Sequence, residues 1–486
     1  MISISRRQKQ HIGLQFVFDL TAPKSAYGKE MLRNAKCFTP EQKNELQRQL
    51  DNIEKTMLHR PRLEPEYSRI EQVFSRVKDI RKSIQKCRGG ILGEIDLFEI
   101  KCYLLQLTEI AALFARVNSQ ADYNGISFRD TAEALQLLDP EQNRVATFHI
   151  SNSYSRELAQ IRMQKKDIEE KMRQYSFKDV PAALMEQRQS LAEAEEKEEE
   201  KVRAELSRKL EPFIPPLLAN AGTIGELDLV IQKAAIADKY HAAKPQLGEK
   251  KVSFSGMWNP QIAALLQEQG REFTAITIEL DKGATVITGA NMGGKSVALA
   301  TTALNIILLH YGYFPFASES LSPLFDSMHI ISGSLESKEH GLSSFGGEII
   351  GLNEIASSLE QGFACVLIDE FARGTNPEEG AAIAQGVTEY LNGKNAVALI
   401  STHYDKVAEH ANVHYQIVGL SKLDLEELKK ETSSLENSDK VHLIARHMNY
   451  NLVMVNNKQK PPHEALNVCY LLGMPHEIID KIQKNY

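Results

Sequence analysis

Two patterns of apolar residues divide this chain. From Leu14 to about Gly248, apolar residues recur three and four positions apart, and Lys, Glu, Gln and Arg fill most of the positions between them. This spacing predicts amphipathic helices. One helix is expected to begin at Thr39, whose hydroxyl would cap it, and a long buried one covers Ile91 to Phe114. The first half of the chain is therefore expected to be all-helical.

Between Arg156 and Leu210 the pattern changes, because charged residues dominate and basic and acidic residues are equal in number. A break from Ser176 to Pro181 predicts a tip where one helix turns back as another. We expect an antiparallel helical hairpin at about 156–210, called the arm below, which is held partly by i,i+4 ion pairs. The alternative is a single solvated, charged helix with a proline kink.

From Glu249 onward, short apolar runs alternate with helical segments. Buried or half-buried strands are predicted at 273–280, 284–287, 363–369 and 396–401, and helices at 297–309 and 378–391. Strands of this type, separated by helices, predict a mostly parallel sheet covered on both faces. We therefore divide the chain into a helical domain, 1–248, and an α/β domain, 249–486.

Composition adds only broad limits. The chain has 486 residues, 42% of them apolar, and a net charge of −7, which does not indicate nucleic-acid binding by itself. Its five cysteines are scattered and never form C-x-x-C, which suits a reducing compartment. No uninterrupted apolar run reaches a membrane-spanning length, and no signal-peptide core follows the start. We expect a cytoplasmic protein without a membrane partner.

The segment after the strand at 284–287 has the pattern G-x-x-x-x-G-K-S, from Gly289 to Ser296. Between a strand and a helix, this pattern predicts a phosphate-binding loop, in which backbone N–H groups surround an anion. Lys295 would reach the β- and γ-phosphates of ATP, and the Ser296 hydroxyl would ligate Mg²⁺. The alternative is an ordinary glycine-rich turn. The expected ATP-binding residues are Gly289, Asn291, Met292, Gly293, Gly294, Lys295, Ser296 and Val297.

Two carboxylates end the next apolar strand. Asp369 and Glu370 follow Cys365 to Ile368, at the strand end where α/β sheets bind ligands. Asp369 would hold Mg²⁺ through water, and Glu370 would orient and deprotonate the attacking water. An exposed Asp-Glu turn is the alternative.

Two further segments carry polar groups suited to a phosphate. His403 follows the strand at 396–401 and would hydrogen-bond the γ-phosphate, although a lone histidine is usually structural. Ser343 to Glu348 opens a predicted helix, Ile349 to Leu359, with hydroxyls and free amides that suit an anion. This second anion site would serve another subunit's nucleotide, and plain helix capping is equally compatible with the local sequence.

Together these segments resemble the MutS family of ATPases in the ABC superfamily. Residues 289–296 match the family's G-P-N-M-G-G-K-S except at Ala290, and 369–375 match D-E-x-[GA]-R-G-T. Residues 401–404 match S-T-H-[YF], and 343–348 match S-[ST]-F-x-x-E. The segment 474–479 resembles the family's closing G-x-P-x-x-[VI]-[IL], which lies in its dimerising helix-turn-helix part.

The resemblance extends more weakly upstream, where Phe18 to Thr21 and Tyr27 to Lys29 resemble the start of the family's core, or lever, domain. It implies a lever domain at 1–248 whose arm is the family's clamp, then a P-loop ATPase domain of ABC type at 249–486 with C-terminal dimerisation helices. The sequence offers no counterpart of the mismatch-recognition domain with its Phe-x-Glu motif, of the connector domain or of the nuclease-like tail of the MutS2 branch. We therefore expect the family's ATPase engine without its mismatch reader.

The resemblance also implies a Mg²⁺-dependent ATPase that works as a homodimer, or as a heterodimer with a MutS-like relative. Each composite site would combine Lys295, Ser296, Asp369, Glu370 and His403 of one subunit with Ser343, Ser344, Gly346 and Gly347 of the other. Lys295, Glu370 and His403 are the expected catalytic residues, Ser296 and Asp369 the Mg²⁺ ligands. ATP-driven closure would then move the arms.

What the arms hold is left open by the sequence. The family favours duplex DNA and a role of DNA mismatch repair type, although a DNA clamp should present a Lys/Arg surplus that this charge-balanced arm lacks. The short layout instead resembles MutS-like ATPases associated with reactivation of B12-dependent aminomutases, which implies a protein client. A third alternative is an ATP-gated scaffold with negligible turnover.

Overall fold

The chain divides into two compact units that are interleaved along the sequence. The computed structural model describes residues 2, 4–176, 179–290, 293–332, 344–404, 406–420, 428–429, 437–457 and 465–484. The sheet unit comprises 1–21, 35–54 and 233–486, and the helical unit comprises 22–34 and 55–232. The division of the chain at residue 248 therefore stays a prediction, and the compact units follow other boundaries.

Helices account for nearly all of the secondary structure before residue 245, as the apolar spacing predicts. In chain order the described helices are α1 (Arg6–Ile12), α2 (Leu14–Leu20), α3 (Ala26–Arg33), α4 (Lys43–His59), α5 (Glu64–Phe74), α6 (Arg81–Lys86), α7 (Glu94–Ala121), α8 (Ala132–Leu138), α9 (Arg156–Met172), α10 (Ala182–Leu210), α11 (Ile214–Lys239), α12 (Pro260–Glu268), α13 (Lys295–His310), α14 (Ser344–Ser358), α15 (Pro377–Asn392), α16 (Asn437–His447), α17 (Ala465–Leu471) and α18 (His476–Lys484). The predicted start at Thr39 is confirmed, because Thr39 is the N-cap of the short 3-10 turn that precedes α4, and its N–H donates to Gln42 Oε1 at 3.2 Å. The predicted cap by the Thr39 hydroxyl is not formed.

The helical unit is held by buried polar contacts as well as by apolar packing. The hydroxyls of Tyr67 and Thr56 lie 2.7 and 2.6 Å from the Tyr123 hydroxyl. Asp228, which is fully buried, accepts hydrogen bonds from the backbone N–H and the hydroxyl of Ser25, the N-cap of α3. Since a buried carboxylate needs such donors, this contact fixes where α3 begins.

The arm is an antiparallel hairpin of α9 and α10, so the alternative of a single kinked helix is wrong. Ion pairs cross between the two helices: Arg162 contacts Glu195 at 2.8 Å and Glu199 at 2.7 Å, and Arg188 contacts Glu169 at 2.9 Å. The predicted i,i+4 pairing is represented by Lys209 and Glu205 on α10. Two residues of the predicted tip, 177 and 178, lie outside the described residues.

The sheet unit contains two sheets. Its strands are β1 (Gln246–Leu247), β2 (Val252–Met257), β3 (Ile276–Leu280), β4 (Gly283–Thr288), β5 (Glu319–Ser322), β6 (Ser327–Ser332), β7 (Ala364–Asp369), β8 (Ala396–Ser401), β9 (Val413–Gly419) and β10 (Asn449–Val455). The larger sheet has the order β10-β9-β4-β8-β7-β6, and all neighbours are parallel except β10 and β9. This sheet confirms the mostly parallel arrangement. The smaller sheet, β1-β5-β2-β3, is mainly antiparallel and was not predicted.

Helices cover the larger sheet because its strands are apolar on both faces. All six residues of β4 and of β8 are buried. One apolar core joins these strands to α14 and α15, through Ile355 and Ala384 among others. Helix α13 packs against β7 and β8 and is itself buried almost all round. The sheet therefore holds the ends of β4, β7 and β8 in fixed positions.

Two sequence-level boundaries shift in the structure. The alternating strand expected from Phe273 begins at Ile276, and the helix expected from Ile349 already begins at Ser344. All five cysteines are free, and Cys87 and Cys365 are buried. In the described part of the chain, no helix combines the length and apolar character needed to cross a lipid bilayer.

Candidate functional site

The carboxyl ends of three neighbouring parallel strands meet at one edge of the larger sheet. Asp369, the last residue of β7, pairs in register with Ser401, the last residue of β8. Ser401 in turn pairs with Ile287 of β4, which leads into the glycine-rich loop. Ligands of α/β sheets bind at this edge, so the predicted loop and the predicted carboxylates lie next to each other.

The glycine-rich loop ends at Gly294, which is the N-cap of α13. Gly294 has φ +92°, a left-handed conformation that an L side chain adopts only with strain. A Cβ atom on Gly293 would lie 2.8 Å from the carbonyl oxygen of Ala290, so no side chain fits there. Asn291 and Met292 lie outside the described residues. A tight glycine turn that leads into a helix N-terminus is the kind of segment that binds an anion.

Lys295 is the first residue of α13 and is 3% exposed. Its Nζ donates to the carbonyl oxygens of Gly289 at 2.9 Å and Ala290 at 3.2 Å, and lies 3.7 Å from Glu370 Oε1. Burial lowers the pKa of Lys295, while the nearby carboxylates of Glu370 and Asp369 oppose this shift. The ammonium group is therefore held inside the loop, where a phosphate group would be bound.

Ser296 and Asp369 form the most direct link between the loop and the carboxylates. Ser296 Oγ donates to Asp369 Oδ1 at 3.0 Å, and Ser401 Oγ donates to the same oxygen at 2.5 Å. Hydroxyl and carboxylate oxygens are hard ligands of the kind Mg²⁺ prefers, so this pair fits that ion. Among the described residues, no three His, Cys, Asp or Glu side chains converge as a metal site. A Mg²⁺ ion here would depend on Ser296, Asp369 and the oxygens of a bound phosphate.

Glu370 continues from β7 in an unusual backbone conformation. Its φ is +48°, and Ala372 two residues later has φ +60°. The Glu370 N–H donates to the carbonyl oxygen of Ser401 at 3.1 Å and its Oε2 accepts from Arg373 at 2.7 Å. These contacts direct the Glu370 carboxylate toward Lys295 at the mouth of the loop. Strained residues of this kind concentrate at functional sites.

His403 lies beyond the end of β8 and is exposed. Its ring lies 4.2 Å from the ring of Tyr404, centroid to centroid. Desolvation lowers the pKa of His403, and the Glu370 carboxylate opposes this effect. The structure therefore brings His403 to the same edge of the sheet as Glu370, and its contact with a γ-phosphate stays a prediction.

The second predicted anion site falls at the start of α14. Ser343 lies outside the described residues, while Ser344 begins the helix and Gly346 and Gly347 lie in its first turn. Glu348, the next residue, is 1% exposed and accepts a hydrogen bond from the Ala372 N–H at 2.8 Å. This side chain joins α14 to the loop after Glu370, and its role in doing so was not foreseen from the sequence.

A cavity of about 400 Å³ opens beside the glycine-rich loop. Its walls are mainly apolar and include Leu266, Phe273, Val297 and Met448. Arg271 and Tyr450 supply a polar rim, since Arg271 Nη2 donates to the Tyr450 hydroxyl at 2.7 Å. A volume and character of this kind suit a small organic group with a flat apolar surface, such as a nucleobase.

Apart from Gly294 and Val297, these walls come from segments that the sequence motifs do not include. The segment Met257-Trp258-Asn259, which precedes α12, makes structural contacts. Trp258 lies in an aromatic cluster with Tyr240, and Asn259 caps α12 and donates to the carbonyl of Ile12. Ser401 was part of a quoted motif, but its bond to Asp369 depends on strand register, which the motif does not encode.

Parts of this chain are similar to known proteins. Residues 285–486 match the family model of MutS domain V. An Endonuclease MutS2 from Ligilactobacillus salivarius is 33% identical over 232 residues, 47% of this chain and 29% of that protein. Another, from Carboxydothermus hydrogenoformans, is 28% identical over 285 residues, 58% and 33% of the two chains. A DNA mismatch repair protein MutS from a Geobacillus species is 26% identical over 310 residues, 62% and 33% of the two chains. This chain thus spans about a third of the length of these curated relatives.

Proposed function

We propose that this chain is a Mg²⁺-dependent ATPase of the MutS family, because residues 285–486 match the model of MutS domain V. One observation carries the proposal: Ser296 of the loop and Asp369 of β7 are joined at 3.0 Å, beside Lys295 and Glu370. A phosphate-binding loop supplies the serine and lysine of such a site, and a neighbouring strand supplies the acid. An isolated glycine-rich turn would not need this arrangement.

The phosphate groups of ATP would bind at the α13 N-terminus, with Lys295 exchanging its carbonyl partners for the β- and γ-phosphate oxygens. Bound Mg²⁺, held by Ser296 and by Asp369, would neutralise charge on those oxygens. Burial lowers the pKa of Lys295, so the ammonium is costly there, and a bound phosphate group would offset that cost. Lys295 is therefore better suited to bind an anion than to donate to the backbone carbonyl oxygens of Gly289 and Ala290.

Glu370 would act on the attacking water. In hydrolysis the water oxygen bonds to the γ-phosphorus, the bond from that phosphorus to the β–γ bridging oxygen breaks, and the water proton passes to a base. The products are ADP and phosphate. The contacts of Glu370 to Arg373 and to the Ser401 backbone fix its position, as a general base requires. His403, at the same edge of the sheet, would contact the γ-phosphate.

The adenine base would occupy the cavity beside the loop. Gly294, the last residue of the loop, and Val297, on the first turn of α13, both line the cavity, so a nucleotide would span the loop and the cavity. Phe273 and Tyr450 offer aromatic surface for the base.

The partner that we propose is duplex DNA, acting on a dimer of this chain. One relative is named as a DNA mismatch repair protein, which supports DNA as the partner. The start of α14, with Ser344, Gly346 and Gly347, would approach the nucleotide of the second subunit. A metabolic-enzyme client gains no support from these relatives, so this alternative stays a hypothesis.

The Glu370→Gln variant tests the ATPase. We expect its turnover to fall by about 100-fold or more, because the amide cannot accept the water proton, while Mg²⁺-ATP binding is kept. Phosphate release and binding of a fluorescent ATP analogue would be measured on the same samples. The matched control is Glu360→Gln, which makes the same change at an exposed residue before β7. Undiminished turnover in Glu370→Gln would remove Glu370 as the base.

DNA is tested separately. At low ionic strength we expect duplex or branched DNA to bind in a salt-sensitive manner and to change the turnover of the wild-type protein. If the protein hydrolyses ATP but neither binds DNA nor responds to it, the ATPase stands and the DNA partner is contradicted.

A further inference from the structure

Ala372, two residues after the proposed base, is fixed at both of its backbone polar groups by side chains from other segments. Its N–H donates to Glu348 Oε2 at 2.8 Å, and its carbonyl oxygen accepts from the Tyr404 hydroxyl at 2.7 Å. Glu348 comes from α14, and Tyr404 comes from the segment after β8. Three of the motif-bearing segments are thus joined at a single alanine.

This alanine needs such support because its conformation is disfavoured. Ala372 has φ +60° and Glu370 has φ +48°, so two of three consecutive residues adopt the left-handed region without being glycine. L-residues persist there only where the surrounding structure holds them. Ala372 is fully buried, so its polar groups have no water to bind if these side chains are lost.

The two supporting side chains are themselves closely held. Glu348 is 1% exposed, and burial raises the pKa of its carboxyl group, opposed by the bond from Ala372. The Tyr404 hydroxyl lies against Gly380 of α15, where an added Cβ atom would overlap it. Neither side chain can shift far without disturbing the core between α14, α15 and the sheet.

We propose that Glu348 and Tyr404 are positioning residues that hold residues 370–372 in the conformation that aims the Glu370 carboxylate at the nucleotide. This inference rests on the proposed ATPase function. Glu348 lies one helical turn after Ser344, at the end of α14 that we assign to the partner's nucleotide. Loss of either support is therefore expected to displace the Glu370 carboxylate.

The first test is Glu348→Ala, with kcat and Mg²⁺-ATP affinity measured separately. Loss of the Ala372 partner should lower kcat by about 10- to 100-fold, because the base is displaced, and leave nucleotide affinity within about threefold. Glu354→Ala, an exposed acid on the same helix, is the matched control and should leave both unchanged. Glu348→Gln keeps an acceptor oxygen and should retain most of the turnover. Tyr404→Phe, which removes the bond to the Ala372 carbonyl, should also lower kcat.

The decisive variant is the double change Glu348→Ala with Ala372→Gly. Glycine adopts φ +60° without steric cost, so it should restore part of the lost kcat if Glu348 acts by holding this conformation. If Glu348 only stabilised α14, a second destabilising change would lower kcat further, and that result would overturn the inference. Wild-type kcat in Glu348→Ala would overturn it as well.

These outcomes separate the inference from the function on which it rests. A wild-type protein without ATP turnover would overturn both. A wild-type protein that hydrolyses ATP and loses turnover in Glu370→Gln, but not in Glu348→Ala, would leave the ATPase standing and remove the positioning role alone. If Glu348→Ala does not fold, Glu348→Gln and Tyr404→Phe provide the comparison, because each keeps the size of the side chain. Undiminished kcat in Tyr404→Phe would then contradict the proposal.

Discussion

Lys233 is a buried cation whose described contacts include no carboxylate. Its Nζ donates to the carbonyl oxygen of Tyr311 at 2.7 Å and to Gln49 Oε1 at 3.2 Å, and it lies 4.5 Å from the ring centroid of Tyr313. Tyr311 is the C-cap of α13, so the ammonium lies at the negative end of that helix dipole. These contacts only partly replace water, and burial lowers the pKa of Lys233 to about 7.

The lowered pKa of Lys233 predicts a pH-dependent stability. Between about pH 7 and the unfolded value near 10.4, the unfolded lysine holds a proton that the folded one has lost, so the free energy of unfolding rises with pH. Relative to Lys233→Met, the wild-type protein should gain up to about 1.4 kcal/mol of unfolding free energy per pH unit in that window. Denaturant unfolding of both proteins at pH 7, 8 and 9 measures this difference.

The control for this prediction is Lys239→Met, which removes an exposed lysine from the same helix. Its unfolding free energy should follow that of the wild-type protein with pH. Parallel curves for Lys233→Met and the wild-type protein would show that Lys233 keeps its ordinary pKa.

At the residue scale, the sequence predicted which residues lie together at the candidate site better than it predicted their geometry. Lys295, Ser296 and Asp369 could be found because their types and spacing follow from the chemistry of a bound phosphate. The left-handed conformation of Glu370 could not, because no glycine marks it. The pairing of Ser401 with Asp369 depends on strand register, which no local pattern encodes.

At the element scale, the contacts within the arm predict which part of it is stiffest. Arg162 on α9 contacts Glu195 and Glu199 on α10, and its Nη1 also donates to the carbonyl of Ile150 at 2.7 Å. One guanidinium thus ties both helices to the segment that precedes the arm. Farther out, the described cross-helix pair is Arg188 with Glu169. The arm is accordingly expected to open from its tip rather than from its base.

Removing this contact should loosen the whole arm. In Arg162→Ala we expect amide hydrogen exchange in α10 to increase by about tenfold, because a partly exposed network of this kind contributes on the order of 1 kcal/mol. Hydrogen exchange followed by mass spectrometry of peptides from 182–210 measures the change. Lys166→Ala, at an exposed position on α9, should leave these rates unaltered. Equal exchange in both variants would contradict the bridging role of Arg162.

The strands that the sequence did not predict are those whose residues give little local indication of a strand. The smaller sheet depends on β1, which has two residues, and on β5, Glu319-Ser-Leu-Ser322, which has one strongly apolar side chain. Their pairing is decided by neighbours distant in sequence, so periodicity could not reveal it. In contrast, the buried runs of β4, β7 and β8 are continuous and apolar, and their strands were predicted to within one residue.

At the scale of the whole molecule, each of the two units is built from segments that are not contiguous in the sequence. Residues 1–21 and 35–54 belong with 233–486, so the sheet unit cannot be complete without the start of the helical half. The cavity beside the glycine-rich loop shows the same principle, because its walls join residues near 262–276, 294–298 and 417–452. Sequence reading assigns function to contiguous motifs, and a site assembled from distant segments escapes it.

The last prediction concerns the assembly that the proposed function requires. If the start of α14 contacts the partner's γ-phosphate, nucleotide should favour a dimer, because that contact exists only when two subunits enclose ATP. With Mg²⁺ and a slowly hydrolysed ATP analogue, light scattering of the wild-type protein should give a mass of two subunits. Glu370→Gln with ATP should also give a mass of two subunits, because this variant is expected to bind ATP without hydrolysing it. ADP should favour separation, since it lacks the γ-phosphate. A single-subunit mass in the analogue and in Glu370→Gln with ATP would contradict the composite site, while leaving a monomeric ATPase compatible with the loop, the carboxylates and the cavity described above.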